Sequence, residues 1–287
     1  MTIAISLKVN DGIVLASDSA TMVVGRTRES DKPAILNSYN NANKIFNLHK
    51  GSPIGAITWG SGSIGPASIS TLVKDLRVLM SDHSSQWKVN FKGYTVLEIA
   101  EVLRRFFVEK YDIAFSQWPE KPTLGFIVAG YSSGAEMAEE YRIDFVNGVC
   151  GAPVPLRPPS ESGLTWNGED EAIRRLVLGF GSGLNDVLKQ SFGLTEEQTE
   201  AAMAVISRSL QAPLVVPPMP IQDAIELAEF LVDATIKYKR FDIGHQTVGG
   251  PIEVAAITKH EQFKWVKRKH YYSNDLNPAL ADNTEEV

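Results

Sequence analysis

The stretch from Thr2 to Asp18, TIAISLKVNDGIVLASD, constrains the chain more than any other. Ile3, Ile5 and Leu7 alternate ahead of a turn at Asn10-Asp11-Gly12, and Ile13, Val14 and Leu15 follow it. That pattern predicts a β-hairpin at the start of the chain. Thr2 stands directly behind Met1, so removal of Met1 leaves a threonine whose hydroxyl and α-amine belong to one residue. An α-amine has an ordinary pKa of about 7.7 to 8.0, so near neutrality an unprotonated fraction can take the proton from the neighbouring Oγ. Nucleophile and general base are then the same residue.

The remainder of the chain narrows the alternatives. Its 287 residues can bury a large core and predict one domain, residues 1 to 258, with insertions near 22–43 and 152–168 and an extension over 259–287. A net charge of −6 argues against a partner bound through phosphates, so no nucleic-acid partner is expected. Cys150 is the single cysteine, which excludes an intrachain disulfide and a multi-cysteine metal cluster. It reads as a small core side chain. His49, His83, His260 and His270 lack metal-ligand spacing, and the glycine turns match neither a P-loop nor a dinucleotide motif. The expectation is no metal and no cofactor. With no long apolar run, no membrane partner is expected, and a cytoplasmic protein is the default reading.

Along the chain, residues 22 to 43 are polar, mixed in charge and rich in asparagine, and read as a loop or mobile insertion. Lys44 opens a second hairpin that runs through Ile54 to Trp59 and ends in Gly60-Ser61-Gly62. Helical spacing predicts a helix over about 64–81, and Thr95 with Glu98 has the spacing of a capping box for the next one. Leu124 to Tyr131 and Glu140 to Asp144 read as paired strands. Residues 152 to 168 are proline-rich and read as an irregular excursion. Leu178 to Gly183 precedes a helical segment, and Thr195 with Gln198 repeats the capping-box spacing. Asp223 to Thr235 reads as a long helix, and Ile252 to Thr258 as a strand after Gly249-Gly250. The basic, aromatic run from Phe263 to Tyr272 reads as an edge strand or subunit contact, and the acidic end as disordered.

The opening Thr2, the Asn10-Asp11-Gly12 turn and the Ser17-Asp18-Ser19 strand end together resemble the start of a mature proteasome β subunit. Lys44-Ile45, the Ala129-Gly130-Tyr131 end, the Asp223 to Thr235 helix and the Gly249-Gly250 turn resemble further stretches of that family in the same order. The resemblance implies an α+β fold, the four-layer αββα sandwich of the N-terminal nucleophile hydrolases. It also implies a threonine peptidase or amide hydrolase working through an acyl-enzyme. Thr2 would be the nucleophile, Lys44 would lower its pKa, Asp18 would hold Lys44 charged, and Gly60 would offer its N–H to the oxyanion. Thr21, Ser182 (or Leu184) and His245 (with Val248, unless Asp242 serves) are the accessory candidates; the family's arginine soon after the aspartate is missing here. Implied partners are a peptide or protein substrate, further copies of the chain in a ring or helical stack, and an unfoldase. The alternatives are a catalytically silent structural subunit and a small-molecule amidase or transpeptidase on the same fold.

Overall fold

Strict alternation of side chains fixes the layout, because successive residues of a strand face opposite sides of its sheet. The computed structural model describes residues 2–27 and 30–269, and in it β1 (Ile3–Val9) pairs antiparallel with β2 (Gly12–Ser17) across the expected turn. Ile3, Ile5, Leu7 and Val9 face one side and Ala4, Ser6 and Lys8 the other, and all are buried. Residues 22 to 43 are a correction: the expected loop is a ribbon of β3 (Thr21–Thr27) and β4 (Ser30–Tyr39), paired only with each other. Next come β5 (Ile45–Asn47), β6 (Ile54–Gly60), and the short pair β7 (Ser63–Ile64) and β8 (Ala67–Ser68).

Helix α1 (Ile69–Ser81) begins where the Ser68 hydroxyl accepts the Thr71 N–H. Helix α2 (Val96–Phe115) begins at Thr95, whose Oγ1 accepts the Glu98 N–H at 3.1 Å. Strands β9 (Leu124–Gly130) and β10 (Glu139–Val146) pair as expected, followed by β11 (Val149–Cys150) and β12 (Val154–Pro155). The proline-rich excursion ends in a regular strand, β13 (Gly163–Gly168), which the sequence reading missed; it pairs with β1. Helices α3 (Glu171–Leu178), α4 (Leu184–Phe192) and α5 (Glu196–Leu210) follow, the last with the full Thr195/Gln198 capping box. Helix α6 (Ile221–Phe241) leads to β14 (Glu253–Thr258) and β15 (Gln262–Lys267).

The five-stranded sheet has the order β13-β1-β2-β14-β15, and the larger sheet the order β11-β10-β9-β6-β5, with β12 beside β10. Strand β15 is thus an edge strand, while the acidic end lies outside the described residues. Three apolar clusters carry the packing. One joins β6, β9 and β10 to α1 and α2, one joins β1, β2 and β14 to α3 and α6, and one lies between the two sheets. Cys150 packs half-buried against the first, where burial pushes its thiol up to about 11 and away from thiolate chemistry.

The expected αββα sandwich is corrected. The chain is a mixed α/β structure whose strands fall into several separate antiparallel sheets, with six helices among the described residues. The β3–β4 ribbon and the β7–β8 pair form two-stranded sheets of their own, outside the two larger sheets.

Candidate functional site

Asp18 follows the last residue of β2 and is fully buried, so each lone pair on its carboxylate must find a donor. Oδ1 accepts the Ile3 N–H at 3.0 Å and Lys44 Nζ at 2.6 Å. Oδ2 accepts the N–H groups of Ala20 and Gly249, each at 3.0 Å. One carboxylate oxygen therefore joins the Lys44 ammonium to the peptide N–H that directly follows Thr2. The ammonium is nearly as buried, at 6% exposure of its side chain. Desolvation lowers its pKa, opposed by the charge and hydrogen bond of Asp18. Among the described residues Asp18 Oδ1 is the one hydrogen-bond acceptor of Lys44 Nζ, which leaves N–H donors of a buried cation for another group.

Thr2 is 4% exposed. Its side chain, by the alternation of β1, lies on the face between the sheets with Ala4 and Ser6. Its carbonyl accepts the Glu169 N–H at 2.7 Å, and a Cβ on Gly168 would come within 1.8 Å of that same oxygen, so only glycine fits there. The pairing of β1 with β13 ends at Ile3 opposite Gly168, and the bond from the Glu169 N–H brings Glu169 next to Thr2 at the backbone. Glu169 Oε1 accepts the Thr247 hydroxyl at 2.7 Å, with Lys239 Nζ 3.9 Å from Oε2. This carboxylate is a group that sequence reasoning missed. Its signal, a strand end Asn167-Gly168-Glu169 ahead of a helix, lay hidden behind the prolines.

Lys44 is placed by β6, since its carbonyl accepts the Thr58 N–H at 2.9 Å. Two residues further, Gly60 closes the strand in the left-handed region at φ 88°, where a Cβ would lie 2.4 Å from the Thr123 carbonyl. Thr21 lies against the same turn, 3.0 Å from where a Cβ on Gly62 would be. Asp18 and Lys44 thus meet at the Ile3 N–H that follows Thr2, with Thr21 beside the turn at Gly62. Two of the accessory candidates stand elsewhere in the chain: Ser182 lies exposed in the turn between α3 and α4, its N–H donated to Glu171, and His245 is exposed in the loop after α6.

A second buried pair borders the first, Lys269 with Glu253. The residues just after Asp18, Ser19-Ala20-Thr21, hold no cation, and Lys269 brings one from a distant part of the chain. One cavity, of about 560 Å³, lies away from this site, between α3 and α6 against Leu176, Tyr238 and Phe241. Among the described residues no cluster of side chains could hold a metal ion, and no helix is long and apolar enough to cross a membrane.

No family model matches the chain, and no curated protein matches it. Solved structures do. An Anbu (Gly-1) mutant from Hyphomicrobium sp. strain MC1 has a TM-score of 0.54 at 13% identity, covering 96% of this chain and 92% of its own. Anbu, titled an ancestral beta-subunit, from Yersinia bercovieri has a TM-score of 0.48 at 14% identity, covering 93% and 88%. The resemblance to proteasome β subunits is corrected by the first of these structures: what the chain shares is the fold of an Anbu protein, of a proteasome-like but distinct family, and at 13% identity the likeness is one of fold alone.

Proposed function

We propose that the chain is an N-terminal threonine amide hydrolase, acting after Met1 is removed from Thr2. The observation that carries this reading is the single oxygen of Asp18 that receives both Lys44 Nζ and the N–H next to Thr2. A buried ammonium with donors to spare beside a threonine serves a negative charge developing on Oγ. The distant proteasome-like fold supports it.

In the proposed reaction the Thr2 α-amine takes the Oγ proton as Oγ bonds to an amide carbonyl carbon. The carbonyl oxygen becomes an oxyanion that accepts the Gly60 N–H, a position kept for glycine by the close Thr123 carbonyl. The C–N bond then breaks, and the α-ammonium returns its proton to the leaving amine. The resulting Thr2 ester is hydrolysed by a water that the free amine deprotonates, which restores the hydroxyl and releases a carboxylic acid. Lys44 stays protonated throughout, while Glu169, paired with Thr247, holds the α-ammonium. Thr21 borders the substrate. The substrate is a peptide or acylamide, and the working form is a homo-oligomer.

Intact mass and N-terminal sequencing, before and after a threonine-reactive β-lactone, test this. The expected result is a chain starting at Thr2 that gains one adduct mapping to Thr2 and none in Thr2→Ala. A chain beginning at Thr2 that stays unmodified overturns the reading and leaves a structural subunit.

A further inference from the structure

Lys269 follows the edge strand β15, yet its side chain is only 5% exposed. Its Nζ donates to Ser19 Oγ at 2.6 Å and to the Ala42 carbonyl at 2.7 Å, and Glu253 Oε2 lies 2.8 Å away. An ammonium has three donors, and here two of them meet acceptors on separate segments, while Glu253 on a third segment pairs with the cation by charge, outside hydrogen-bond geometry. Those segments are the ones that matter. Ser19 follows Asp18 directly, and Ala42 lies two residues before Lys44. The Ala42 N–H also donates to the Ser19 carbonyl at 2.9 Å, so backbone and cation lace the same two segments together. Glu253 opens β14 opposite Ser17, the residue ahead of Asp18.

We propose that Lys269 is a positioning residue of the Thr2 site: held by Glu253, its buried ammonium fixes the segments that carry Asp18 and Lys44. The inference rests on the amide-hydrolase reading and deepens it. Burying a second charged pair costs several kcal/mol before its contacts are counted, which apolar packing would avoid if the segments needed only to be covered. The charge also acts on Lys44. Asp18 and Glu253 favour the Lys44 ammonium and Lys269 opposes it, while burial lowers the pKa of Lys269 itself against the pull of Glu253 and Asp18, with Arg268 adding to the lowering.

Two readouts test this on the full chain, each for wild type, Lys269→Met, Glu253→Gln and the double variant, which leaves no unpaired charge. One is the pH profile of β-lactone adduct formation on Thr2; the other is the NMR titration of the Lys44 13Cε. Lys269→Met slows labelling about tenfold through lost alignment. It also moves the Lys44 titration and the alkaline limb to higher pH, by a few tenths of a unit to about one. Glu253→Gln moves both to lower pH, and the double variant returns them near wild type. Curves that superimpose, or that shift in one direction for both single variants, overturn the proposal. If wild-type Thr2 takes no adduct the hydrolase reading fails, and the Lys44 titration still decides the role of Lys269.

Discussion

The two ends of β1 each bury a carboxylate with a cation, and they close in different ways. At the far end Glu140 is buried between the sheets, where Oε1 accepts the Ser6 hydroxyl at 2.6 Å and Oε2 lies 3.0 Å from Arg157 Nε. Arg157 also donates to Thr165, and Lys8 donates to the Pro159 carbonyl at 2.8 Å. Every charged group there is turned toward protein, and the knot ties β1, β10 and the proline-rich segment together. At the Thr2 end the carboxylate is filled mainly by backbone N–H groups, and among the described residues the ammonium has Asp18 as its one acceptor. Burial of charge alone therefore does not mark a reactive site. What separates the two ends is how the carboxylate is held: by three backbone N–H groups and one lysine at the Thr2 end, and by a hydroxyl and an ion pair outside hydrogen-bond geometry at the far end.

The sharpest way to break this contrast is to remove each cation in turn. Lys44→Met lowers the rate of adduct formation on Thr2 by about 10²- to 10³-fold. It costs only about 1–2 kcal/mol of stability in urea unfolding, since three backbone N–H groups still hold Asp18. Arg157→Met does the reverse: stability falls by about 3–5 kcal/mol as Glu140 is left buried and unpaired, while the labelling rate of the folded fraction stays within about twofold. The double change Arg157→Met with Glu140→Leu recovers most of that loss, measured by the same unfolding curves. If Lys44→Met unfolds the protein and Arg157→Met alters the chemistry, the contrast is wrong.

The pH dependence sharpens it further. Burial lowers the pKa of Lys44, and the ammonium is the form that stabilises the attacking oxygen. Labelling therefore has an alkaline limb below the ordinary lysine value of about 10.4, and Lys44→Met removes it. Stability moves with the opposite sign. The unfolded chain binds more protons between the lowered and the ordinary value, so this lysine's contribution to stability rises with pH across that window and vanishes in the methionine variant. Glu169→Gln has a smaller effect: a terminal ammonium that loses a carboxylate has a lower pKa, and the acid limb of labelling moves down by a few tenths of a unit to about one. Smallest of all is Ser6→Ala at the far end, which removes one hydrogen bond to Glu140 for about 1–2 kcal/mol and leaves both limbs in place.

The parts of this site that the sequence displays are those set by local pattern. Alternation before and after Asn10-Asp11-Gly12 fixes the hairpin and the face of Thr2, and the Lys44 hairpin fixes the approach to Gly60. Glu169, Glu253 and Lys269 are invisible there because each reaches the site through strand pairing with a distant segment. The ribbon β3–β4 reads as a loop for a different reason: its strands join no other sheet, so no run of apolar residues is required of them. In β13 the prolines just upstream mask six regular residues, since proline signals a break whether or not a strand follows. The likeness to proteasome β subunits overreached in the same way: short matching stretches specify strands and turns, and many sheet arrangements contain them.

The four donors on Asp18 have a consequence for the timing of folding. Ile3 and Lys44 come from 15 and 26 residues away, but Gly249 comes from 231. Closing so long a loop costs chain entropy that is returned only when the distant contact forms, so such contacts are made late. During synthesis the chain carries Thr2 long before it carries Gly249. On the proposed reading, a nascent or misfolded copy therefore lacks the completed Asp18 arrangement beside Thr2, and reactivity would arrive only with the completed fold.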